Sequence, residues 1–190
     1  MTEAEWLNCE DPTRMLEFLR GKASERKLRL FACACCRMHD WIANPRNASA
    51  VEKIERCADR GRAVKIRLTT APIQIVVLWT ADLSPSDAAT RWATARDYQG
   101  VVCRADLLRC IINNPFRPVS IDSAWLTWNC RTIPKLARCI YDDRAFDLLP
   151  ILADALEEAG CMNKHILQHC RQSSEHVRGC WVIDLLLGKE

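Results

Sequence analysis

The chain has 190 residues, 49% of them hydrophobic and 27% charged, with a net charge of +3. That balance excludes a disordered tail, and a chain this long buries enough core to fold without disulfide staples. Its 12 cysteines therefore read as reduced thiols, serving as core filler, metal ligands or redox groups.

Helix punctuation is frequent. Asp11 and Pro12 form an N-cap followed by proline at the first helical position, opening a short helix that ends near Gly21. Ser24 caps a longer one, in which Leu28, Phe31, Cys35, Met38 and Ile42 recur at three and four residues as one apolar stripe. Cys35 lies in that stripe, with Cys33 and Cys36 off its centre. Asn47 opens a helix through Val51, Ile54 and Ala58 to Gly61.

The next segment changes period. Val64, Ile66 and Leu68 alternate with Lys65, Arg67 and Thr69, which is strand periodicity. A small β-hairpin near 63–80 is the literal reading. A helix under tertiary pressure is the alternative, because a lone hairpin is marginal.

Ser84 and Pro85 restart the helical grammar, with Asp87 placed for a capping box, and that helix runs to about Gln99. Another covers Val102 to Asn113. The run from Asn114 to Pro118 is expected to be extended, since its two prolines restrict their predecessors. Asp122 caps a turn holding Trp125 and Trp128. Helices over Thr132–Tyr141 and Arg144–Ala159 follow, with Gly160 closing the second. Asn163 and Ser174 cap the last two. The final one, His176–Leu187, is apolar nearly all round and predicts a central position.

No repeat and no Ser/Gly linker divides the chain. The expectation is a single mainly α-helical domain over 1–190, built from about eight to ten short helices. The opening, MTEAEWLNCED, lacks the basic and apolar regions of a secretory signal. The longest largely apolar run, Ile73 to Trp79, falls far short of the ~20 residues a membrane span needs. A soluble, cytoplasmic protein without a membrane partner is expected.

Four blocks carry a resemblance: MTEAEWLNCEDPTRMLEFLRGKASERKLRLFACACCR, INNPFRPVSIDSAWLTWN, RAFDLLPILADALEEAGC and HCRQSSEHVRGCWVIDLLLGK. They resemble a cysteine-rich helical family of bacterial proteins, met mainly in planctomycete genomes, to which no activity is attached. The resemblance spans roughly 1–62 and 107–190, and it implies a helical fold in a bacterial cytoplasm. The middle, about 63–100, departs from the family's Ala-rich helical stretch.

Each of the four histidines has a Cys or His four residues away: Cys35 and His39, Cys161 and His165, His165 and His169, His176 and Cys180. Residues four apart share a helix face, so such a pair can offer two ligands to one metal. Cys161, His165, His169, His176 and Cys180 form a candidate pool for zinc, with Cys170 in reserve. Against this stands the lack of any paired CxxC or finger spacing, and cysteine is commonly a small buried hydrophobe. Cys139 beside Ile140 and Cys180 beside Trp181 fit core packing. A thiolate–imidazole pair at Cys180 and His176, or at Cys35 and His39, is the third reading.

Charge is uneven. Arg14 to Arg37 holds seven basic residues against Glu17 and Glu25, whereas Asp142 to Glu158 holds six acidic ones against Arg144. Arg20, Lys22, Arg26, Lys27 and Arg29 form a candidate nucleic-acid patch, near Trp6 and Trp41 in sequence. The pI of 8.3 lies below the range of dedicated binders. There is no P-loop, GxGxxG, GxSxG or HExxH. Three functions follow in order: a non-enzymatic accessory subunit that binds a protein partner, a zinc-stabilised protein associated with nucleic acid, and a cysteine-dependent enzyme.

Overall fold

Helices start where a short polar side chain can take up the first free amides. In the computed structural model, Thr2, Asp11, Ser24, Asn44, Asp122 and Asn163 each accept a backbone N–H at a helix N-terminus. The structure describes residues 1–38, 40–61, 84–94 and 101–189. The hairpin expected near 63–80 and His39 lie outside them.

Ten α-helices and no strand occupy the described residues. In chain order, α1 is Glu3–Asn8, α2 is Pro12–Leu19, α3 is Glu25–Arg37 and α4 is Pro45–Asp59. They are followed by α5 at Pro85–Thr94, α6 at Val101–Ile112 and α7 at Ser123–Asp143. The chain continues through α8 at Leu149–Glu158, α9 at Lys164–Arg171 and α10 at Trp181–Leu187. Short 3-10 turns precede α4 and α8, at Asp40–Ala43 and Phe146–Leu148. No helix among the described residues is long and apolar enough to cross a membrane.

The centre is α3, which packs against α4, α5 and α6. The predicted stripe is buried at Leu28, Phe31 and Cys35, but Leu30, Ala32, Cys33, Ala34 and Cys36 are buried as well. Small side chains at 32–36 let neighbours approach on several faces, so the stripe becomes a fully enclosed helix. It stops at Arg37, and Ile42 falls in the following 3-10 turn. Burial pushes the Cys33 thiol up to about 12, and it holds Cys36 well above its ordinary value. These are inert core thiols. Cys139, by contrast, is exposed, with its sulfur 3.4 Å from Asp143.

Three expected boundaries move. Asn44, not Asn47, caps α4, because Pro45 sits best at the first helical position. Arg144 caps α7 in a left-handed conformation, so the next helix begins at Leu149, after a 3-10 turn. The expected last helix loses its first five residues. Residues 172–180 are irregular, Ser174 caps nothing, and α10 begins only at Trp181. The cause is Gly179, whose φ of +94° suits glycine and breaks helical continuity. A Cβ there would stand 2.9 Å from Leu30 Cδ1, so the segment can press on α3 only because that carbon is missing.

The run from Asn114 to Pro118, expected to be extended, instead turns, with the Arg117 amide donating to the Asn114 carbonyl at 3.1 Å. Within α7 the helix is interrupted at Trp128–Arg131, where Asn129, Cys130 and Arg131 all have positive φ. The expected separation of a Trp125 turn from a helix near Thr132 corresponds to this break. Pro134 then lies in the first turn of the second limb, where its missing N–H costs no hydrogen bond.

One polar network is buried among the helices. Asp184 on α10, 1% exposed, accepts from Arg26 Nη1 at 2.7 Å and Nη2 at 2.9 Å, and from Lys27 Nζ. Arg26 also donates to Asp59 on α4 at 2.9 Å and to the Tyr141 hydroxyl on α7 at 2.8 Å. Burial alone would lower the Arg26 pKa, but the bonds to Asp184 hold it above its ordinary value. Replacing Asp184 leaves Lys27 without its carboxylate and Arg26 paired with Asp59, which costs about 3–5 kcal/mol. Asp184→Ala is therefore expected to unfold at markedly lower urea concentration than the unaltered chain. A midpoint within error of it would contradict this account.

Candidate metal centre

The site begins with one helix cap and an irregular segment. Asn163 accepts from the amides of His165 and Ile166, fixing the start of α9. His169 follows one turn later, buried at 8% exposure. The irregular segment that follows α9 returns His176 and Cys180 to the same place. Cys110, near the end of α6, meets them from the opposite side.

The ligand-type atoms of Cys110, His169, His176 and Cys180 all lie within 4.8 Å of one another. His169 Nε2 is 3.2 Å from Cys180 Sγ. His176 Nδ1 is 3.7 Å from Cys110 Sγ and 4.0 Å from Cys180 Sγ. A tetrahedral zinc with bonds of ~2.0–2.3 Å places its ligands about 3.3–3.8 Å apart. The shorter separations match that spacing, the widest, up to 4.8 Å, would close by about 1 Å around an ion, and two sulfurs with two imidazoles are a donor set that zinc favours. Gln172 Nε2 stands 3.0 Å from His169 Nδ1 and holds the ring from behind. His176 Nε2 is buried without a hydrogen-bond partner, so the outward face of that ring is unsupported.

The backbone beside both sulfurs is anchored by one side chain. Lys27 Nζ donates to the carbonyl of Ile111 at 3.0 Å and to that of Gly179 at 2.9 Å. These carbonyls belong to the neighbours of Cys110 and Cys180. Burial lowers the Lys27 pKa, with Asp184 acting against it.

The two thiols divide a proton unequally. The hydrogen bond to Cys180, with burial, holds Cys110 well above its ordinary pKa. Burial alone would raise Cys180, but hydrogen bonds from Cys110, His169 and His176 outweigh it and hold that thiol well below. The two thiols interact strongly enough to titrate as one unit. Full burial of Cys180 leaves such a thiolate fit for a metal and out of reach of a substrate.

Of the five residues in the sequence pool, His169, His176 and Cys180 meet. Cys161 and His165 are not in the group. The ring of His165 lies 5.2 Å from that of Trp181, with Nδ1 buried and unpaired. Cys161 is buried near the end of α8, and burial raises its thiol pKa. Cys170, held in reserve, is also buried, and burial drives its thiol upward. Cys110 was missed, because it has no histidine nearby in sequence and reads as one apolar residue of α6.

The nucleic-acid patch is divided. Arg26 and Lys27 are consumed by Asp184, and Trp6 is fully buried and offers no stacking face. Arg29 is half-buried on α3. Arg20 and Lys22 are exposed, and Lys22 Nζ sits 3.5 Å from the centre of the Phe18 ring. The chain matches no family model, no curated protein and no solved structure.

Accessibility ranks the thiols. Alkylation of the native protein is expected to label exposed Cys130 first. Cys139 follows more slowly, because its hydrogen bond to Asp143 raises its pKa. Cys33, Cys36, Cys110 and Cys180 stay unlabelled until unfolding. Peptide mass mapping over time checks the order, and early labelling of Cys180 would show an accessible thiolate.

Proposed function

We propose that this chain is a zinc-stabilised helical binding protein, with one zinc held by Cys110, His169, His176 and Cys180. The observation that carries the reading is the convergence of those four side chains from α6, α9 and the segment between α9 and α10. A set of four protein ligands leaves no open coordination position, which is the mark of a structural zinc and not a catalytic one. The metal would fix the 172–180 segment, which belongs to no helix. Action by binding is supported by the burial of Cys180, the one thiol held low among the described residues, and by the lack of an enzyme motif in the sequence. Between the two binding partners considered, protein is favoured over nucleic acid, because the basic patch spends Arg26 and Lys27 internally.

Native mass spectrometry of protein purified without chelator, beside its denatured mass, is the direct test. One zinc per chain is expected. Ligand loss is expected to cost more than the ~10–100-fold that removing an outer-shell partner costs. Cys110→Ala should thus abolish stoichiometric zinc, whereas Cys161→Ala should retain it. Chelation should lower the unfolding temperature of the unaltered chain and leave Cys110→Ala nearly unmoved. A bare chain with an unfolding temperature indifferent to chelator would overturn the metal reading.

A further inference from the structure

A second polar feature lies on the other side of the 172–180 segment, where Arg178 sits between His176 and Cys180. A cavity of about 460 Å³ opens between α4, α7 and this segment. Its floor is Tyr141, whose ring carries Arg178 at 4.6 Å and Lys189 at 4.7 Å from its centre. Its rim holds Arg60 and Arg138.

Of the carboxylates around this cavity, Asp142 is exposed and unpaired among the described residues, and the others are committed elsewhere. Glu52 takes Arg56. Asp59 takes Arg26 and the Tyr141 hydroxyl. Glu55, just beyond, takes Arg37 through two bonds, and Arg144 as well. Arg178 has only long ion pairs. It is 7% exposed, its Nε is buried without a hydrogen bond, and its pairs to Glu55 and Asp59, both already shared, are 3.9 Å long. Arg60 and Arg138 are exposed, and neither has an ion-pair partner among the described residues. A buried guanidinium nitrogen without a hydrogen bond is costly, and a ligand oxygen would complete it.

We propose that this cavity binds a phosphorylated small molecule, its phosphate held by Arg178 from below and by Arg60 and Arg138 at the rim. Guanidinium forks match phosphate oxygens in pairs, and a doubly charged phosphate satisfies several of them at once, which a lone carboxylate does not. The volume lies within the range of small-molecule sites and leaves room for more than the phosphate itself. None of its cations is a ligand in the Cys/His group, and the rim arginines Arg60 and Arg138 belong to the end of α4 and to α7.

Titration calorimetry of the full chain tests it, with inorganic phosphate and ribose 5-phosphate as probes and acetate at matched ionic strength as control. Saturable one-to-one binding of both phosphates, tighter for the ester, is expected, with none for acetate. The exposed double variant Arg60→Glu/Arg138→Glu should keep the circular dichroism of the unaltered chain and bind ribose 5-phosphate at least about tenfold more weakly. Arg178→Lys should keep part of the affinity and Arg178→Gln should lose it. Phosphate heats no larger than those of acetate, or a folded double variant that binds as well as the unaltered chain, would overturn the proposal.

Discussion

Asp184 is the constraint around which the other helices are set. A carboxylate 1% exposed is tolerable only if cations reach it, and two consecutive residues of α3 do so. Arg26 carries the connection on to α4 and α7 through Asp59 and Tyr141. Lys27 carries it to the carbonyls beside Cys110 and Cys180. Five parts of the chain thus meet on one pair of neighbouring side chains. A buried pair of this kind adds little net stability over an apolar equivalent, yet it is costly to break. Its effect is to fix one arrangement of α3, α6 and α10 among the many that an apolar interface would permit.

That placement makes the Cys/His group possible. The sulfurs of Cys110 and Cys180 lie on separate elements with 69 intervening residues, so their meeting depends on how α6 and the start of α10 are held. Lys27 holds both backbones. It also places a positive charge near Cys180, favouring the thiolate. Gly179 completes the arrangement, because its positive φ and missing Cβ let the chain lie against Leu30. Site geometry and core packing are here the same set of contacts.

The sequence was most readable where a rule is local. Asp11, Ser24, Asp122 and Asn163 cap helices as their side-chain chemistry requires, and Pro115 and Pro118 keep their stretch out of helix. It was least readable where tertiary contact decided. The i,i+4 rule paired His165 with His169, yet only His169 faces Cys180. His176 and Cys180 do meet, but across an irregular segment, because Gly179 ends the expected helix before it begins. Cys110 gave no signal, since its partners are supplied by the fold. Arg26 and Lys27 looked like surface charge because Asp184 lies more than 150 residues away.

The protonation of the Cys/His group gives the physical reason to favour an ion there. Without a cation, four polar groups face one another in a buried space, where any charge is held against its desolvation. Cys180 Sγ lies 3.2 Å from His169 Nε2, and His176 Nδ1 lies 3.7 Å from Cys110 Sγ. Each of these contacts uses polar groups that could otherwise stay in water. Zinc bound by two thiolates and two neutral imidazoles forms a complex of zero net charge. In the adjoining network Arg26 and Lys27 are offset by Asp59 and Asp184. The whole buried region would then be neutral, with every ligand atom satisfied at one centre. Neutrality and full ligation together are what a site closed to solvent needs, and they explain why two sulfurs and two rings should be brought together on so small a domain.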